Sequence, residues 1–255
     1  MVKAMREAKI RTSWTQPNEG HENAVTHFIA AILDPARSSA FLENFQPFQQ
    51  RISHFGMINS LSQTVLKIAA PGVPDTYQGT ELWDYSLVDP DNRRPVDFVL
   101  RARLLAELKA FEQSAGKAAL VADVLRTPED GRVKLLTVAA SLAVQGEQPG
   151  LLSNGEYVAL NATGDAAANL FAFTRVAGDR AAIIVVPRLT TKLRMSPVGW
   201  PIGEQTWGNT SLALPPALQQ RRWKNVITGE LLDPAASIAA AKLLSAFPVG
   251  FWCAV

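Results

Sequence analysis

The sequence changes texture at Gly150, and that change limits the folds open to it. Ahead of Gly150, apolar residues recur at helical spacing. Val25, Phe28, Ile29 and Ile32 form one such stretch, stopped by Asp34-Pro35. Phe41, Leu42, Phe45 and Phe48 open another, and Pro47 suits the first turn of a new helix running through Ile52 and Phe55 to Ile68. Pro71-Gly72 breaks it. Leu100, Leu104, Leu108 and Phe111 share a helical face. Leu120, Val121, Val124 and Leu125 predict a further helix ended by Thr127-Pro128, and the stretch 133–144 a last one. Between them, residues 73–77 read as a short strand, followed by an irregular loop to Pro95 that is long enough to be functional.

After Gly150, short apolar runs at 157–160, 170–175, 181–186, 211–214, 223–227 and 250–255 alternate with turn residues. Gly164-Asp165, Ala177-Gly178-Asp179 and Thr228-Gly229-Glu230 supply the turns. This spacing predicts an antiparallel sandwich. The expected organisation is therefore a helical region over 1–150 and a β-sandwich over 151–255. The chain opens at once in a charged helical pattern, Met1-Val2-Lys3-Ala4-Met5-Arg6-Glu7, with no capping residue ahead of it. That reads as a cut rather than a natural beginning.

Composition removes several function classes. Hydrophobic residues make up 47% and charged residues 19% of the chain, which is the balance of a folded protein. The 25 Lys and Arg nearly offset the 23 Asp and Glu, leaving +2, so nothing favours nucleic acid or an acidic membrane as partner. The longest apolar runs, 181–186 and 247–255, are far below the ~20 residues that span a bilayer. A single cysteine, Cys253, permits no intrachain disulfide. The chain reads as soluble and cytoplasmic. His21-Glu22 begins like a zinc-protease helix, but Val25 stands where the second ligand belongs, so no metal is expected. Motifs for phosphate cradling, dinucleotide binding and serine nucleophiles are missing, so no cofactor is expected either.

One constellation remains. Pro71-Gly72-Val73-Pro74-Asp75-Thr76-Tyr77-Gln78-Gly79-Thr80-Glu81-Leu82-Trp83 is followed by Leu87-Val88-Asp89-Pro90-Asp91-Asn92-Arg93-Arg94-Pro95. Carboxylates, an amide and guanidinium groups can pair with sugar hydroxyls. Tyr77, Trp83 or Tyr85 can pack on the apolar face of a pyranose. The plainer reading is an Asp- and Pro-rich loop whose ion pairs only fix its shape.

The wording of that stretch resembles the end of the catalytic barrel in the α-amylase family of glycoside hydrolases. Four further segments resemble one branch of it, the (1→4)-α-glucan 1-α-glucosylmutases. These are Arg6-Glu7-Ala8-Lys9 with Thr12-Ser13-Trp14, Phe55-Gly56-Met57-Ile58-Asn59-Ser60-Leu61-Ser62-Gln63-Thr64, Gln78-Gly79-Thr80-Glu81-Leu82-Trp83-Asp84, and Trp207-Gly208-Asn209-Thr210. The resemblance runs over nearly the whole chain and is most specific in the first hundred residues.

It implies an α+β chain: the C-terminal helical portion of a (β/α)8 barrel, with its last strand near 73–77, followed by an antiparallel β-sandwich. It also implies that the parent turns the reducing-end α-1,4 linkage of a maltooligosaccharide into an α,α-1,1 linkage. A retaining enzyme needs two carboxyl groups about 5–5.5 Å apart. The family's motifs for them do not occur in this sequence, so no catalytic residue is expected here and the partner is an N-terminal catalytic region. Tyr77, Gln78, Glu81, Asp91, Asn92, Arg93 and, more weakly, Lys9, Arg6 and Trp14 are the expected substrate-binding residues. The row Gly56, Asn59, Ser60 and Gln63 shares a helix face expected to pack closely on the barrel, and the tryptophans after Gly150 are expected in the core. Two alternatives stay open: a non-catalytic carbohydrate-binding or structural module, and part of an α-glucan hydrolase.

Overall fold

A computed structural model of the chain describes every residue except Val88, Pro90, Pro197 and Val198. The chain divides into two units, Met1–His54 and Phe55–Val255.

The first unit is helical. Helix α1 (Val2–Ala8) ends at Lys9 in the left-handed region, at φ 55°. Helix α2 (Glu19–Ile32) starts where the Asn18 side chain accepts a hydrogen bond from the His21 N–H, with Glu19 and Glu22 favourably placed in the first turn. Helix α3 (Pro35–Ala69) begins at Pro35, bends at Ser38 and continues into the second unit. Pro47 lies inside α3 and does not open a new helix. Proline there removes one backbone hydrogen bond, but Glu43 to Gln50 are all exposed, so water can satisfy the freed carbonyl.

The second unit stacks helices on one face of a six-stranded sheet and a three-stranded sheet on the other. Helices α4 (Phe98–Ala115), α5 (Lys117–Arg126) and α6 (Arg132–Glu147) fall where apolar spacing placed them. Asp97 caps α4 by accepting the Leu100 N–H at 2.8 Å. The strands are β1 (Glu156–Leu160), β2 (Ala162–Thr163), β3 (Leu170–Ala177), β4 (Arg180–Pro187), β5 (Ser211–Ala213), β6 (Trp223–Asn225), β7 (Leu231–Leu232), β8 (Ser237–Ala239) and β9 (Gly250–Ala254). Their order is β1-β3-β4-β9-β6-β7 in one sheet and β2-β5-β8 in the other, and all pairs are antiparallel.

Strand β4 explains the architecture. Its sequence is a continuous apolar run because both faces are buried. Ala182, Ile184 and Val186 join Leu61, Val65, Leu136 and Phe251 in a helix-side core. Ala181, Ile183 and Val185 join Trp207, Trp223 and Trp252 between the sheets. These three tryptophans are fully buried, as core residues should be. Residue 150 lies inside the second unit, where the sheet buries one face against the helices that precede it.

Arg175 on β3 is buried beside that core and donates to the carbonyls of Ala69 and Gly155 at 2.8 and 2.9 Å. It places positive charge at the C-terminal end of α3, where the helix dipole favours it. Burial lowers its pKa from the usual value.

Residues 73–77 join neither sheet among the described residues, and a strand exists only through such pairing.

Candidate functional site

The loop from Pro71 to Asp97 is held to the helical layer by three side chains. Gly72 leaves α3 at φ 118°, and a turn closes at Thr80, whose N–H and hydroxyl both donate to the Tyr77 carbonyl. Gly79 within that turn sits at φ 87°, and a Cβ there would come within 3.1 Å of Val96. Arg101 on α4 then ties both ends of the loop together. It donates from Nε to Glu81 Oε2 at 2.9 Å, to the Gly79 carbonyl at 2.7 Å and to the Asp97 carbonyl at 3.1 Å. Trp83 donates its indole N–H to the Pro128 carbonyl at 2.7 Å. Lys134 on α6 lies 5.6 Å from the Trp83 ring centre and donates to the Leu82 carbonyl at 3.1 Å. Burial pushes the Lys134 ammonium below its usual pKa and Lys67 adds to this, while Asp84 and Glu81 oppose it.

Beyond Trp83 the loop braces itself. Asp84 accepts the Ser86 N–H at 2.8 Å, and its hydrogen bonds from Ser86 hold its carboxyl below the usual range. Asp91 accepts the Leu87 N–H at 2.7 Å and pairs with Arg94 at 3.1 Å. Arg93 makes a bidentate pair with Asp89, which raises its pKa. Val88 and Pro90 of the sequence motif lie outside the described residues.

This frame encloses an open cleft of about 380 Å³, lined by Gln78, Trp83, Asp84, Tyr85, Asn92 and Arg94 among others. Of the expected binding residues, Gln78 and Asn92 line it. Asn92 Oδ1 is buried without a hydrogen-bond partner among the described residues. Glu81, Asp91 and Arg93 brace the loop by the pairs just given. Tyr77 is half-exposed at the turn and does not line the cleft.

Lys9 is exposed in the first unit, at the end of α1. There Arg6 makes a bidentate pair with the buried Glu22 at 2.8 and 2.7 Å, and Thr12 donates its hydroxyl to the same carboxylate. These bonds, from Arg6 first, hold the Glu22 carboxyl down at about 2. Trp14 packs over Arg6 and donates to Glu7. Arg6 and Trp14 are thus committed to a local network. On α3, Gly56, Asn59 and Gln63 are exposed and Ser60 is half-buried, and a Cβ at Gly56 would meet nothing within 4 Å among the described residues.

Sequence reading missed Arg101 and Lys134. Both sit on helices recognised by their apolar faces alone. The signals were a lone lysine inside the apolar run Val133-Lys134-Leu135-Leu136 and an arginine one turn after a capping aspartate.

The fold and loop define an α+β class: a helical layer carrying a polar, aromatic-flanked cleft, set on an antiparallel sandwich. No protein-family model matches the chain. It is similar over nearly its whole length to maltooligosyl trehalose synthases. A putative maltooligosyl trehalose synthase of Mycobacterium tuberculosis (strain H37Rv) is 31% identical over 247 residues, which is 97% of this chain and 26% of the relative. The solved maltooligosyltrehalose synthase from Arthrobacter ramosus is 29% identical and superposes with a TM-score of 0.77, covering 99% of this chain and 29% of that one. A further crystal structure of a maltooligosyl trehalose synthase gives 28% identity and a TM-score of 0.68 over 100% of this chain. The chain therefore spans between a quarter and a third of the length of these relatives.

Proposed function

We propose that this chain is the C-terminal part of an enzyme that converts the reducing-end α-1,4 linkage of a maltooligosaccharide into an α,α-1,1 linkage by intramolecular transglucosylation. The observation that carries this reading is the similarity, in sequence and fold together and over nearly the whole of this chain, to maltooligosyl trehalose synthases. In this reading the part up to residue 150 ends a (β/α)8 barrel, and 73–77 become its last strand once neighbouring strands are present. The partner is the catalytic region ahead of it, and the whole works in the cytoplasm. No helix among the described residues is long and apolar enough to cross a membrane.

The cleft suits holding a sugar better than cutting one. A general acid needs a carboxyl pKa raised towards neutrality. Asp84 is shifted the other way, and Glu81 is tied up by Arg101. Asn92, whose Oδ1 has no hydrogen-bond partner among the described residues, and Gln78 can each donate and accept, and Trp83 and Tyr85 offer apolar faces. In the complete enzyme the terminal α-1,4 bond breaks, the maltooligosyl remainder passes to a carboxylate supplied by the catalytic region, and O4 of the departing glucose takes a proton from that region's carboxylic acid. That glucose turns, and its anomeric hydroxyl returns a proton to the same acid group as it attacks the anomeric carbon of the remainder, restoring the carboxylate. The step competes with water unless the free glucose is clamped. Gln78 and Asn92 supply part of that clamp, and Tyr77, Glu81, Asp91, Arg93 and Lys9 shape or flank it.

Product analysis on maltopentaose of the complete protein tests this. A product with no free reducing end and an α,α-1,1 linkage is expected. Release of reducing sugar without such a linkage would make the parent a hydrolase. The 255-residue chain alone is expected to show no turnover. Tight maltooligosaccharide binding by the isolated chain would instead favour a binding module.

A further inference from the structure

The first unit buries almost nothing apolar. Within Met1–His54 the buried side chains are Thr12, Glu22, Leu42 and His54, so Leu42 is its one buried aliphatic or aromatic residue. Its large apolar side chains are instead displayed. Phe41, Phe45, Phe48 and Ile52 on α3 are 40%, 39%, 60% and 54% exposed. Their spacing of four, three and four residues places all four within about 60° around a helix. Phe41 and Phe45 stack with ring centres 5.2 Å apart and nearly parallel. At about 200 Å² per aromatic side chain, the stripe leaves on the order of 400 Å² of contiguous apolar surface in water. Surfaces of that size mark interaction sites.

We infer that this stripe is a docking face for polypeptide belonging to the part of a synthase-length protein that this chain does not span. The inference rests on the reading under Proposed function. The occupant follows from length: the relatives are three to four times longer than the stretch matched here, so most of their fold lies outside this chain. Its chemistry follows from the helix. From Ser38 to Ser53 the only charged residues are Glu43 and Arg51, so recognition there is apolar rather than electrostatic. In the second unit, residues 73–77 have no ladder partner among the described residues, and Val73 is 97% exposed, a second surface that polypeptide could cover.

The test mixes the 255-residue chain with a separately produced polypeptide covering the rest of the mycobacterial relative, followed by light scattering. A one-to-one complex is expected, with affinity changing less than threefold between 0.1 and 1 M NaCl. The double variant Phe45→Asp/Phe48→Asp should weaken it at least a hundredfold, and Phe45→Leu/Phe48→Leu should retain most of it. Near-ultraviolet circular dichroism of the buried tryptophans, unchanged in both variants, shows that the second unit still folds. Absence of a complex, a complex indifferent to the Asp variant, or a homodimer broken by that variant would each overturn the proposal. A stripe-dependent complex that forms no α,α-1,1 linkage would leave the docking face standing and remove the mutase reading.

Discussion

The two units of this chain solve the problem of burial in opposite ways. Phe55–Val255 hides three tryptophans and both faces of β4. Met1–His54 hides a salt-bridged glutamate and one leucine while its phenylalanines face water. Apolar burial supplies most folding free energy, so the second unit has a stability of its own, whereas the first depends on a polar network.

The comparison can be broken most directly by cutting into each core. Phe251→Ala removes a fully buried ring at the centre of the helix-side core and is expected to cost about 3–5 kcal/mol. Urea unfolding followed by tryptophan fluorescence measures it. Leu42→Ala should leave that transition in place, because the two residues belong to different units.

Cys253 reports on the same core. Burial, with Glu147 adding, pushes its thiol up to about 12. Iodoacetamide at pH 8 should therefore label it on the order of a thousandfold more slowly than an ordinary cysteine, and at an ordinary rate once urea has opened the unit.

The first unit should respond to acid instead. Glu22 is pulled from its usual 4.5 to about 2, so its stabilisation is complete above roughly pH 4.5 and is lost as pH falls through 2. Amide protection of Glu19–Ile32 should decline over that window, and Glu22→Gln should abolish the pH dependence. The loop gives a smaller effect. Arg101→Ala releases bonds to Glu81, Gly79 and Asp97 and should raise proteolysis within 77–97 about tenfold, with partial rescue by Arg101→Lys. Trp83→Phe removes one hydrogen bond to Pro128, worth about 1 kcal/mol.

Much of the second unit was legible from residues alone. Leu120, Val121 and Val124 announced α5, and the run 181–186 announced β4. The unbroken apolar character of that run also carries the sign that its sheet is buried on both faces. Strands β2, β7 and β8, two or three residues long, are too short to show any period. Pro47 misled because an exposed helix can spare one hydrogen bond to water. At the site, Gln78 and Asn92 could be read because they stand in the motif. Arg101 and Lys134 could not, since their role depends on which loop folds back onto their helices. Residues 73–77 read as a strand from residue type, but pairing decides whether such a stretch becomes one, and residue type does not show its partners.

Hydrogen exchange by mass spectrometry on the 255-residue chain at neutral pH tests the division most directly. Strands β4 and β9 should stay protected for hours, while 38–54 of α3 exchanges within minutes and gains protection when the remainder of a synthase is added. Uniform slow exchange across both units of the isolated chain, or no gain at 38–54 on addition, would contradict it.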